Sequence, residues 1–119
     1  MCGIVAVTGY KNALPLLLAG LEKLEYRGYD SAGIAIIDSE NKKIISHKSE
    51  GKLKNLKNKL DKKIISGSLG IGHTRWATHG KPVLRNAHPH FDSKEQVAVV
   101  QNGIIENYLE LKTKLESEG

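Results

Sequence analysis

Residues 1–9 read MCGIVAVTG, and within them Gly3 to Thr8 is a short, β-branched apolar run closed by Gly9, the pattern of a buried strand. Cys2 therefore stands at the very start of a rigid element. Removal of Met1 would leave a thiol and a free α-amine on this one residue. An α-amine with a pKa of roughly 7.7 to 8.0 is partly neutral near pH 7 and can take the thiol proton, directly or through a water, so no catalytic histidine is required. Gly3 and the small side chain of Cys2 favour access of an aminopeptidase to Met1. Taken alone, Cys2 has a plainer reading, that of a small buried hydrophobe at a strand start.

Working outward, Asn12 can cap a helix that tolerates Pro15 in its first turn. Leu14, Leu17, Leu18, Leu21 and Leu24 supply one buried face, and Gly28 marks the end. Two short strands, Ile34 to Asp38 and Lys43 to His47, are joined by the polar turn Ser39-Glu40-Asn41. Leu53, Leu56 and Leu60 recur at helical intervals among lysines, giving a surface helix with a narrow apolar stripe before Ser66-Gly67-Ser68. Leu69 to Trp76 forms a strand that leads into the polar loop ATHGKP, residues 77–82. Gln96 to Gln101 reads as a strand closed by Asn102-Gly103, and Asn107 opens a last helix through Tyr108, Leu111 and Leu115. Antiparallel links with helices between them make this an α+β layered chain rather than a βαβ series. No internal repeat, low-complexity linker or domain boundary interrupts it.

The 119 residues suffice for one domain and are too few for a synthase that would also consume a released product. Hydrophobic residues at 39% and charged residues at 26% place the chain among folded globular domains and away from disordered ones. The net charge is +5, and nine of the fifteen lysines fall between Lys42 and Lys63. That stretch holds no arginine and no aromatic residue for base stacking, so it reads as a solvated surface with no nucleic-acid partner. A single cysteine excludes an intrachain disulfide and fits a reducing compartment. With no basic segment ahead of the first apolar run and no stretch of membrane-spanning length, the expected location is the cytoplasm, with no membrane partner.

Three further groups carry potential chemistry. Asn102-Gly103 is locally a type I′ hairpin turn, yet its side-chain amide and the Gly103 N–H are also two donors of the kind an oxyanion needs. Arg75-Trp76-Ala77-Thr78-His79-Gly80 places a guanidinium, an indole, a hydroxyl and an imidazole in one loop, and Arg75 suits a bidentate grip on a carboxylate. A surface ion pair for Arg75 and a core anchor for Trp76 remain open. His73, His79, His88 and His90 with Cys2 raise the question of a metal, but only His88-Pro89-His90 is a close pair and no established ligand spacing occurs, so no metal is expected. Arg27, Tyr29 and Asp30 form a polar turn, either an ion-pair corner or part of a pocket wall.

Together, CGIV at 2–5, EYRGYDSAG at 25–33, HTRWATHG at 73–80, NAHPH at 86–90 and QNGIIENY at 101–108 resemble the N-terminal glutaminase domain of the glucosamine-6-phosphate synthases, which are class II glutamine amidotransferases. The resemblance runs over nearly the whole chain. It implies an N-terminal-nucleophile hydrolase fold, a four-layer αββα sandwich of antiparallel sheets. Residues 1–119 would be its N-terminal part, incomplete at the C-terminus and without the sugar-phosphate isomerase domains. It implies Cys2 as nucleophile, Asn102 and Gly103 as the oxyanion hole, Arg75 with Thr78 and His79 on the α-carboxylate of glutamine, and Trp76 and Arg27 gating the pocket. Glutamine hydrolysis would then need no cofactor and would feed ammonia to an isomerase domain, in an assembly that leaves a homo-oligomer open. The alternative is a catalytically silent fragment or binding module. Gln101 departs from the pattern, since many relatives have histidine there.

Overall fold

The computed structural model describes residues 1–119. Strand β1 (Gly3–Val7) leads into helix α1 (Leu14–Leu24), followed by strands β2 (Ser31–Ile37) and β3 (Ile44–Glu50). Helix α2 (Leu53–Leu60), strand β4 (Leu69–Arg75), the short strands β5 (His90–Phe91) and β6 (Ala98–Val99), and helix α3 (Tyr108–Glu118) complete the chain. The main sheet has the order β1-β4-β2-β3, all antiparallel, and β5 pairs with β6 in a second, two-stranded sheet. No helix is long and apolar enough to cross a membrane.

The period of two along β2 divides its side chains between two environments. Ala32, Ile34 and Ile36 face α1 and α2 and join Leu17, Leu21, Leu53, Leu56 and Leu60 in one buried cluster. Each fully buried leucine there contributes about 1.5 to 3 kcal/mol relative to exposure. Gly33 lies between them on the other face. A Cβ at that position would stand 2.0 Å from the carbonyl oxygen of His88, so glycine is what lets the 88–90 segment lie directly on the sheet. Lys48 of β3 clamps the same segment, its ammonium donating to the carbonyls of Ala87 at 2.9 Å and Pro89 at 3.2 Å.

The leucine spacing expected for α1 and α2 is present. Asn12 is not the N-cap of α1; Ala13 holds that position without a side-chain cap bond, and Asn12, one residue ahead, accepts from the Leu14 N–H through Oδ1 at 3.1 Å. Strands β2 and β3 extend past the expected bounds because Ser31 pairs with both Glu50 and Arg75, continuing the ladder three residues toward Asp30. Strand β1 is not fully buried. It lies at the sheet edge, and Ile4 is 40% exposed. The expected strand Gln96 to Gln101 shrinks to Ala98–Val99, since β5 offers only two partners. Its hairpin turn lies at Asp92, whose carboxylate accepts from the N–H groups of Lys94, Gln96 and Val97. Asn102-Gly103 is therefore not a hairpin turn, for no strand follows it and the chain passes on to α3. That helix has no buried residue.

Candidate functional site

The antiparallel register of β1 on β4 pairs Gly3 with Thr74 and Ile4 with His73. One residue before Gly3, Cys2 is delivered to the point where the chain leaves β4. There its Sγ accepts from the Trp76 N–H at 3.3 Å and donates to the Trp76 carbonyl at 3.6 Å. The thiol is half-buried.

The loop beyond β4 is organised around Arg75. Its guanidinium, nearly buried, donates from Nη1 to the Lys81 carbonyl at 3.1 Å and from Nη2 to the His79 carbonyl at 2.5 Å. Asn86 adds a bond from Nδ2 to the Lys81 carbonyl at 2.9 Å. Two of the five guanidinium N–H groups are thus committed to the loop, and the others have no protein acceptor. Asp30 ties the loop to the β2 side: its carboxylate accepts from the Ala77 N–H and the Ser31 hydroxyl, and its own N–H donates to the Arg75 carbonyl at 3.0 Å. Trp76 packs edge-on against Tyr29 with ring centroids 5.1 Å apart, and His79 does the same against Tyr108 at 4.8 Å.

Asn102 reaches the site from the other side. Its Nδ2 donates to the backbone carbonyl of Cys2 at 3.1 Å, while Oδ1 lies 2.8 Å from Nε2 of His73. The imidazole of His73 lies tilted by 32° over that of His88 with centroids 4.3 Å apart, and His88 meets His90 edge-on at 4.4 Å, His88 and His90 themselves lining the cleft. Burial lowers the pKa of all three. His88 falls to about 4, through burial and then the neighbouring His73, His90 and Arg75. Neutral rings are the consequence at pH 7.

A cleft of about 690 Å³ opens over this arrangement, and Cys2, Arg75, Trp76, Thr78, His79 and Gly103 all line it. Asn102 stands behind Cys2, outside the lining. Arg27 lies apart: its Nη2 meets the Met1 sulfur at 3.7 Å, and its Nε is buried without a partner. Sequence reasoning gave no role to Tyr108, which lines the cleft from α3, and it weighed His73, His88 and His90 only as metal ligands. The QNGIIENY block contained the signal for Tyr108; nothing local linked His73 to Asn102, 29 residues away.

No family model matches the chain. Over all 119 residues it is 55% identical to a glutamine–fructose-6-phosphate aminotransferase (isomerizing) of Bacteroides thetaiotaomicron and 59% identical to one of Aquifex aeolicus. These matches cover the whole chain and 19% and 20% of the relatives, so the chain spans about a fifth of the length of the curated relatives it matches. Among solved structures, a glutamine phosphoribosylpyrophosphate amidotransferase of B. subtilis, complexed with ADP and GMP, aligns with a TM-score of 0.80 at 31% identity, over the whole chain and 25% of its own. A structure described as the allosteric regulatory enzyme of purine biosynthesis aligns at 0.83 and 30% identity, again over the whole chain and 26% of its own.

Proposed function

The chain is homologous from end to end with the N-terminal fifth of the glutamine–fructose-6-phosphate aminotransferases and has the α+β fold of an N-terminal-nucleophile amidotransferase domain, and from this premise we propose that it hydrolyses the side-chain amide of glutamine through Cys2. The observation that carries the reading is the meeting, at one cleft, of the thiol, the Arg75 loop and Gly103, with Asn102 bonded to the Cys2 carbonyl behind it, three segments far apart in sequence.

Met1 is 76% exposed and accessible to an aminopeptidase. Its removal frees the Cys2 α-amine, which takes the thiol proton as Sγ attacks Cδ of glutamine. The oxyanion of the tetrahedral intermediate is met by the second N–H of the Asn102 amide and by the Gly103 N–H. Collapse of that intermediate breaks the C–N bond, and the α-ammonium protonates the departing ammonia. Water then cleaves the γ-glutamyl thioester, giving glutamate and restoring the thiol. The free N–H groups of Arg75, with Thr78 and His79, hold the α-carboxylate, and Trp76 closes the pocket. In the full-length protein the ammonia goes to an isomerase domain that converts fructose 6-phosphate to glucosamine 6-phosphate, in the cytoplasm.

The test is the intact mass of the chain before and after a diazo-ketone analogue of glutamine. Loss of Met1 and a single adduct that Cys2→Ala abolishes is the expected result. A chain that lacks Met1 and takes no adduct would refute the activity for residues 1–119. It would favour the silent-fragment reading, which the exposed helix α3 and the two-residue strands β5 and β6 support.

A further inference from the structure

We infer that His73 is a positioning residue for the Asn102 amide, holding it in the one orientation that turns its N–H groups toward Cys2; this rests on the role proposed for Asn102 as an oxyanion donor. The two ends of an asparagine amide are opposite in function, and rotation by 180° exchanges donor for acceptor. Here the backbone carbonyl of Cys2, 3.1 Å from Nδ2, can only accept, so the NH2 group must face it. Oδ1 is then left toward Nε2 of His73 at 2.8 Å, and Nε2 must carry a proton to satisfy it.

The surroundings of His73 suit this single task. It is 1% exposed and sits on β4, which is hydrogen-bonded on both sides by β1 and β2, so the ring has a rigid base. Its Nδ1 is buried with no hydrogen-bond partner, and its ring packs on His88. A neutral imidazole with its one proton on Nε2 fits this arrangement, because Nδ1–H would be a stranded donor and would leave a lone pair facing Oδ1. Burial, with the Arg75 charge, opposes a second proton, against smaller contributions from the bonds to Asn102 and to the Gln101 backbone and from Asp30 that favour it. His73 touches neither the cleft nor the thiol. Its effect reaches the reaction only through Asn102, by denying the amide its flipped state, in which an oxygen would meet the developing negative charge.

The test uses the whole chain after Met1 removal and follows glutamate release from glutamine, with long-range 1H–15N correlation spectra of the histidine rings. The wild type is expected to show the Nε2–H tautomer at His73, and Asn102→Ala to release it to a mixture. His73→Leu should lower kcat at least about tenfold, part of the 10²- to 10³-fold loss that follows removal of an oxyanion donor, with KM within about twofold. His73→Gln places an amide N–H near the former Nε2 and should restore kcat to within about threefold of the wild type. A folded His73→Leu chain with unchanged kcat, a kcat loss that His73→Gln does not recover, or an Nδ1–H tautomer at His73 would each overturn the inference. Should the wild type release no Cys2-dependent glutamate, the glutaminase reading fails separately. The tautomer and its response to Asn102→Ala then decide the His73–Asn102 contact, as they do if His73→Leu fails to fold.

Discussion

Gly28→Ala adds one methyl group where the chain has no room for it. Gly28 has φ −176°, an extended backbone that any residue adopts, so the cost is contact alone. The new Cβ would lie 2.6 Å from the Arg75 carbonyl carbon, 2.8 Å from its oxygen and 2.8 Å from the Trp76 nitrogen, whereas ordinary contact begins at 3.4 Å. A separation of about 0.8 Å is needed, and every atom in the way is main chain. Asp30 bonds both to Ala77 and to the Arg75 carbonyl, so neither segment can retreat alone. Overpacking of this kind costs about 1 to 3 kcal/mol. The displaced Trp76 N–H is also the donor to the Cys2 sulfur, so the thiol loses its seat, and a misplacement near 1 Å costs about 10²-fold in rate where that thiol is the nucleophile. Urea unfolding followed by Trp76, the single tryptophan, should show a midpoint lowered by about 1 M for a slope of 1 to 3 kcal/mol per M. Alkylation of Cys2, the single cysteine, should change rate in parallel. A midpoint within about 0.3 M of wild type together with unaltered alkylation would refute the close-approach argument.

Leu56→Ala removes a fully buried side chain from the cluster beneath the sheet and should cost about 2 to 5 kcal/mol, read from the same denaturant curves. Arg75→Lys keeps the charge but cannot span the His79 and Lys81 carbonyls, so KM for glutamine should rise about tenfold or more, measured by initial-rate glutamate release. The folded pKa of His88 is depressed from 6.5 to about 4, so between these values the unfolded chain binds the proton that the native chain refuses. Stability therefore falls as pH drops from 6.5 toward 4, and His88→Asn should flatten that slope in a pH series of urea midpoints.

How much could be read in advance differs between the two halves of the chain. The leucines of α1 and α2 and the β2–β3 hairpin declare themselves because each is decided by local periodicity and by one sheet face meeting one helix layer. Val97 and Val99 carry the same alternation, yet they stay 55% and 52% exposed, since a strand is made by its partner and β5 supplies only two residues. The Asn102-Gly103 pair misleads as a turn for a related reason: its amide is spent on Cys2 and His73, contacts 100 and 29 residues away that no window of sequence contains. The 75–80 stretch was legible as a loop rich in chemistry. That its arginine would first organise the loop's own carbonyls was not, because guanidinium geometry says nothing about which acceptors will be near.

Both contacts that seat the Cys2 sulfur are made by main-chain atoms of Trp76, its N–H and its carbonyl. Every residue type except proline offers the same pair. Replacing the indole by a smaller side chain would alter what closes over the cleft while leaving both main-chain contacts to the thiol in place. Position 76 thus divides two tasks within one residue: a backbone that seats the thiol, and a side chain that packs on Tyr29 and lines the cleft.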